Sequence, residues 1–234
     1  MIKIKTTKCN IPIRSNINSS HVLWQLIAGI SILLLPFSCR NAVSESPAAI
    51  AKAAHKDDLG KILYGRSLLK DGDLVLRTGN DFISLTLRQF SLHNKTYSHC
   101  GIVRIIHGKI YVYNAIGGED NPDARLRRDS FEAFCDPEEN SGFGVFQYDL
   151  TSMQHHRLDS LVDLYYKLRI RFDLKFDLRT DSAMYCAEFV YKAVTRATKD
   201  SAFIPLSHIG SFEYVAIDNL FLNGHTQPVY QAKF

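Results

Sequence analysis

The chain has 234 residues, 46% of them hydrophobic and 22% charged, with 13 Gly and 7 Pro. This composition excludes a collagen-like, low-complexity or wholly disordered chain, and the length suits one generous domain whose core needs no disulfide staples. The formal charge of +4 sits at the N-terminus: Lys3, Lys5, Lys8 and Arg14 face no acidic residue before position 39, which leaves 24 basic against 24 acidic residues in the remainder. A folded part without net charge offers no electrostatic footprint for nucleic acid.

Positions 22–37 read VLWQLIAGISILLLPF, an uncharged run behind a basic polar stretch. That is the layout of a secretory signal, and it is short for a membrane span of about 20 apolar residues. The run ends in Pro36-Phe37-Ser38-Cys39. A small residue before Cys resembles a bacterial lipoprotein processing site, at which Cys39 would become the lipid-bearing first residue. The usual Leu three places before the Cys is Pro36, with Leu35 one place further back. An uncleaved anchor and ordinary cleavage nearby are the alternatives, and all three place the folded part outside the cytoplasm. The expected organisation is a signal over 1–39, a tether and helix start over 40–60, and one domain over 61–234. Cys occurs at 9, 39, 100, 135 and 186. Once Cys9 leaves with the signal and Cys39 takes lipid, three thiols remain, too odd a number to pair off within one chain.

Beyond the tether, Ala and Leu spacing behind Ser46-Pro47 predicts a helix over 47–70. Asp71-Gly72 marks a turn, and DLVLR at 73–77 a strand. Residues 78–97 read as a helix or lid-like loop. SHCGIVRII (98–106) and KIYVYNAI (109–116) flank His107-Gly108 as a hairpin. Asp129 and Ser130 are placed to cap a short helix through Phe134, and 144–150 is a further strand. Leu158, Leu161, Val162, Tyr165 and Leu168 share one helical face. The loop 171–181 precedes a helix over 183–198, whose buried face carries Cys186, Phe189, Val190, Ala193, Val194 and Ala197. Strands near 212–217 and 227–233 close the chain. The pattern is α+β, helices on a small antiparallel sheet.

Cys186 opens its helix, where unpaired N–H groups and the positive dipole end favour a thiolate; Asp181 or Ser182 is the expected cap. A thiol nucleophile needs a base, and His99 is the candidate. With His107-Gly108 as a two-residue loop, facing positions of the hairpin sum to 215. His99 then faces Ile116, and Asn114 is its diagonal neighbour on the same face, placed to orient the imidazole. A loop of three residues would put the two on opposite faces. Alone, a Cys on an apolar helix face reads as packing, and Asn114 carries almost no signal. Asp173, Asp177 and Asp181 recur every four residues, but a Ca²⁺ loop needs closer oxygens and a Gly, so they read as loop hydrogen bonding. Glu188 braces the helix start, and Cys100 points to the side of the strand opposite His99. No cofactor or metal site is expected.

The segment Tyr185-Cys186-Ala187-Glu188-Phe189-Val190, preceded by Phe172-Asp173, Phe176 and Asp181, resembles the nucleophile segment of the permuted papain-like hydrolases, the YiiX/YaeF-like branch of the NlpC cell-wall peptidase superfamily. Ser98-His99-Cys100-Gly101-Ile102-Val103 is similar to the His strand of that family, and Gly72-Asp73-Leu74-Val75 to its opening strand. The resemblance covers about residues 68–217 and has the permuted order, His first and Cys last. It implies a circularly permuted papain-like fold with Cys186 as nucleophile, His99 as base and Asn114 as the third catalytic residue. Glu is the family's commoner residue at that third position, so Asn114→Glu is expected to keep or raise activity. The implied function is an exported, lipid-anchored cysteine hydrolase of the bacterial envelope, cleaving an amide or ester bond in a cell-wall peptide or acyl-lipid substrate. The alternative is a catalytically silent binding module with the same fold.

Overall fold

The computed structural model describes residues 46–117, 121 and 123–234. The signal, Cys39, most of the tether and Gly118 lie outside the described residues. Helix α1 (Pro47–Ser67) leads into β1 (Leu74–Gly79), a short α2 (Phe82–Leu87) that continues as a 3₁₀ turn to Phe90, and the hairpin β2 (His99–Ile106) and β3 (Lys109–Asn114). Then come β4 (Arg127–Ser130), α3 (Phe131–Phe134), β5 (Asn140–Tyr148), α4 (Ser152–Lys167), α5 (Cys186–Thr198), the small ribbon β6 (Ser207–Ile209) and β7 (Phe212–Tyr214), and β8 (Thr226–Lys233). The described residues form one compact unit that takes in α1.

Six strands make one antiparallel sheet in the order β4-β3-β2-β1-β5-β8. Alternation along each strand sends side chains to two separate cores. Leu74, Leu76, Cys100, Ile102 and Phe146 face α4 and α5. Val75, Val103, Val112, Phe143 and Val145 face Ile62 of α1 and Phe131 and Phe134 of α3. The hairpin turns through His107 (φ 50°) and Gly108 (φ 75°), a pair of left-handed residues that suits the strand twist. Its register pairs Ile102 with Tyr113 and Ile106 with Lys109, so facing positions sum to 215. Arg104 of β2 reaches across to Asp71 (2.6 Å) and to Asp159 (2.8 Å) and Asp163 (3.2 Å) of α4, which ties that helix to the sheet.

Several expected boundaries move. Helix α5 starts at Cys186 rather than 183 because Ala183 and Met184 are held in extended pairing with Arg171. Its N-cap is Tyr185, not Asp181 or Ser182. Asp181 instead binds Arg196 at 2.6 Å and Lys192 at 3.0 Å. Leu168 is 60% exposed because α4 has ended and Leu168 is its C-cap. Residues 127–130 form a strand ahead of α3, so only Ser130 is the N-cap, accepting from the Ala133 N–H at 3.1 Å. The expected strand to 217 stops at Tyr214.

Asp73, buried at the start of β1, accepts from the Lys70 N–H at 2.8 Å and from Gln147 at 3.4 Å. Burial, only partly offset by these bonds, pushes its carboxyl up to about 7. The folded state therefore holds the proton more tightly than the unfolded chain. Stability is full below the ordinary carboxylate value of 3.8 and is lost as pH rises through about 7. Asp73→Asn is expected to shrink the fall in melting temperature between pH 5 and pH 8 by a few degrees; an unchanged fall would assign it to other groups. Glu188 contributes with the same sign, since burial raises it too to about 7 against the pull of Lys192.

Candidate active site

Helix α5 begins against one end of β2, and that junction holds the three residues singled out above. His99 is the first residue of β2 and Asn114 the last of β3. Both are buried, at 6% and 1% exposure, and the hairpin register puts their side chains on one face. His99 Nε2 lies 3.1 Å from Asn114 Oδ1. Asn114 Nδ2 donates to the Val112 carbonyl at 3.2 Å and to Asp129 Oδ2 at 2.9 Å. Both of these partners are pure acceptors, so the amide has only one satisfactory orientation. Its oxygen must face the imidazole, which places the proton of neutral His99 on Nε2 and leaves Nδ1 with the free lone pair. The ring rests on Phe134, centroids 5.5 Å apart.

Cys186 is half-buried at the first turn of α5. Its thiol is held well below the ordinary cysteine value. The largest cause is a hydrogen bond with the Cys100 thiol; burial opposes it, and His99, by hydrogen bond and charge, together with the Ala187 N–H, adds to it. Cys100 is shifted the other way, because full burial disfavours its thiolate, so within the pair it is the donor and Cys186 the acceptor. Cys100 and His99 leave β2 on opposite faces, and Cys186, at the strand end, meets both. Glu188 is fully buried, accepts from the Tyr185 N–H at 3.2 Å and pairs with Lys192 at 2.8 Å. It fastens the first turn in place and does not point at the thiol's partners.

Gly101 makes room for this arrangement. A Cβ there would sit 2.5 Å from Val112 Cγ1, 2.7 Å from the Tyr113 carbonyl oxygen and 3.2 Å from Asn114 Cβ. Gly101→Ala is expected to cost about 1–3 kcal/mol and to displace Asn114, so that thermal melts and Cys186 reactivity fall together. Normal reactivity in a destabilised variant would show that Asn114 tolerates the shift.

Two clefts meet at Cys186. One, of about 230 Å³, is walled by Phe90, Phe172, Phe176, Tyr214, Val215 and Ile217, with Lys175 the only charged residue among the described ones that line it. The other is more polar, of about 780 Å³, and includes Arg77, Asn80, His99, Arg127 and Glu139. The ribbon β6–β7 contributes Tyr214 to the apolar wall, and Tyr214 Oη donates to the Phe90 carbonyl at 2.9 Å. Tyr185 Oη accepts from the Val215 N–H at 2.7 Å.

Asp173 accepts from the backbone of Lys175 and Asp177 at 2.8 and 2.6 Å, and Asp177 pairs with Arg179 at 2.7 Å. These carboxylates shape the loop. Among the described residues, no group of three His, Cys, Asp or Glu is placed to hold a metal ion, and no helix is long and apolar enough to cross a membrane. Sequence reasoning missed two neighbours of the site. Asp129 read as a helix cap, yet it binds Asn114. Cys100 read as a buried bystander, yet it donates to Cys186. The alternation of β2 held a signal for Cys100, since a helix start that meets the strand end can touch both faces there. The Asn114–Asp129 contact also reverses one expectation. A Glu at 114 would set its carboxylate against that of Asp129, so Asn114→Glu with Asp129 in place is expected to lower activity.

No family model and no curated protein matches the chain. Among the solved structures that match is a crystal structure that aligns with a TM-score of 0.58 at 17% identity, covering 71% of this chain and 99% of that chain. It is the metalloprotein YiiX from Escherichia coli O157:H7, DUF1105. The chain is similar in fold to YiiX. YiiX is matched over nearly its full length.

Proposed function

We propose that this chain is a permuted papain-like cysteine hydrolase, exported and anchored on the bacterial envelope by lipid on Cys39. The observation that carries the reading is the Cys186–His99–Asn114 cluster at the meeting point of the two clefts. Cys186 gives its proton to His99 Nδ1, and the thiolate attacks the carbonyl carbon of an amide or ester. The N–H groups of the first turn of α5 have no intrahelical acceptor, and that of Cys186 is placed to stabilise the oxyanion. As the tetrahedral intermediate collapses, His99 passes the proton to the departing amine or alcohol. Water, deprotonated by His99, then cleaves the thioester and restores the free thiol.

The clefts narrow the substrate. An aromatic and aliphatic wall on one side of Cys186 and polar groups on the other suit an amphipathic molecule. Its acyl chain or apolar side chain fills the first cleft, and its polar leaving group lies in the second. N-acyl amides and phospholipid esters fit this division better than a wholly polar cell-wall peptide. The test is to present the purified protein with N-acyl amides, phospholipid esters and peptidoglycan fragments. Release of an acyl product that depends on Cys186 is the expected result. Cleavage of the peptidoglycan fragments alone would keep the enzyme and overturn the substrate. No turnover, with saturable binding of any of the three, would make the chain a binding module.

Mass spectrometry of the N-terminus of the mature protein from its host tests the anchor. A lipid-modified Cys39 at the first position is expected; a chain that starts at Met1 or past Cys39 overturns it.

A further inference from the structure

Asn114 is a weak orienter in one respect: an amide oxygen accepts a hydrogen bond but brings no charge to stabilise the imidazolium formed when His99 takes the thiol proton. The structure places a carboxylate one bond further out. Asp129 lies on β4, with its Cα opposite Val112 and diagonal to Asn114. Its Oδ2 accepts from Asn114 Nδ2 at 2.9 Å. Its other oxygen is held by Arg127, with Nε at 3.0 Å. The Asp129 side chain is 16% exposed, whereas Arg127 is 56% exposed. The ion pair thus presents its cation to water and its anion to the buried amide, and the exposed guanidinium is the better screened of the two charges.

We propose that Asp129 is a positioning residue of this site, one that supplies through Asn114 the negative charge that the amide lacks. This rests on the Cys186–His99 reading above. The chain of contacts runs Cys186, His99, Asn114, Asp129, with each donor facing an acceptor in the sense the mechanism needs: His99 Nε2–H to the Asn114 oxygen, then the Asn114 amide hydrogen to the carboxylate. Polarisation along such a chain strengthens each bond. When the proton moves from Cys186 Sγ to His99 Nδ1, the new positive charge is met by Asn114's oxygen with a carboxylate behind it. The thiolate–imidazolium pair then extends to lower pH than an isolated Cys-His-Asn set would reach. β4 has this one place in the sheet, at the edge beside β3, and it is what brings the charge there.

The readout needs no substrate. In the purified full-length protein, alkylation of Cys186 by iodoacetamide is followed from pH 5 to pH 9 by mass spectrometry of the Cys186 peptide. The ratio of the rates at pH 6 and pH 9 is compared between variants, since a loss of folded protein scales both rates and leaves the ratio alone. Asp129→Asn keeps an acceptor for the Asn114 amide and removes the charge; its ratio is expected to fall about three- to tenfold, which is about half to one pH unit on the thiolate profile. The exchange Asn114→Asp with Asp129→Asn moves the carboxylate next to His99 and is expected to return the ratio to the wild-type value or above. An Asp129→Asn ratio equal to wild type overturns the proposal, as does an exchange that stays at the single-variant ratio. Failure of the underlying reading looks different: His99→Ala would then leave the Cys186 rate at pH 6 unchanged.

Discussion

Cys186→Ala is expected to abolish hydrolysis, with turnover reduced by about three orders of magnitude or more, while the protein stays folded. The two halves of that result separate chemistry from architecture. Cys186 is half-buried at the end of a helix whose apolar face is built by Phe189, Val190, Ala193 and Val194. Its first turn is fastened by Glu188, bound to the Tyr185 N–H and to Lys192. Loss of one sulfur from that position costs on the order of 1 kcal/mol, a shift of a few degrees in melting temperature. Melting curves and product assays on the same preparation check both halves. Undiminished turnover in Cys186→Ala would remove the nucleophile from the mechanism, and collapse of the fold would make the residue structural.

The second large effect is selective reactivity. All three thiols of the described residues are free, yet their environments differ in sign. Burial holds Cys100 and Cys135 well above the ordinary value, so they remain protonated at neutral pH. Cys186 is held well below it by Cys100 and His99. At pH 6–7, Cys186 is expected to alkylate at least about tenfold faster than the other two, because only the thiolate reacts. His99→Ala removes the base and one of the groups that stabilise the thiolate, and should slow Cys186 by about tenfold at pH 6 while changing little at pH 9. Competitive alkylation read peptide by peptide measures all three rates in one experiment. Equal rates would favour the binding module over the enzyme.

Much of this arrangement is legible in the sequence, because it follows from short-range rules. His107-Gly108 is a turn with a strong local preference, and the position sum of 215 follows from it; the juxtaposition of His99 and Asn114 is then arithmetic. The apolar face of α5 is a matter of period. The illegible parts are those in which partners come from distant segments. Arg127-Arg128-Asp129-Ser130 carries no strand-like alternation of apolar residues and becomes a strand only because β3 offers an edge. The cap of α5 is an aromatic residue, Tyr185, whose role depends on the Glu188 carboxylate three places on and the Val215 amide thirty places away. The apolar cleft draws Phe90, Phe172 and Tyr214 from three separate stretches, so no periodicity announces it.

The two outer strands of the sheet bear on how copies of this protein behave when crowded together. An open sheet invites edge-to-edge pairing with a neighbour, and native sheets resist it with short strands, charges, prolines and covering elements. Both edges here carry such devices. β4 is four residues long and presents Arg127 and Arg128 to solvent. β8 contains Pro228, which has no N–H to donate, beside an irregular register at Val145 and Phe146. Its end is covered by α1, with Lys61 Nζ on the Lys233 carbonyl at 2.9 Å and Tyr64 packed edge-on against Tyr230 at 5.0 Å. The sheet is a poor template for strand addition, so copies held side by side at high local density have no ready route from encounter to β-linked aggregate.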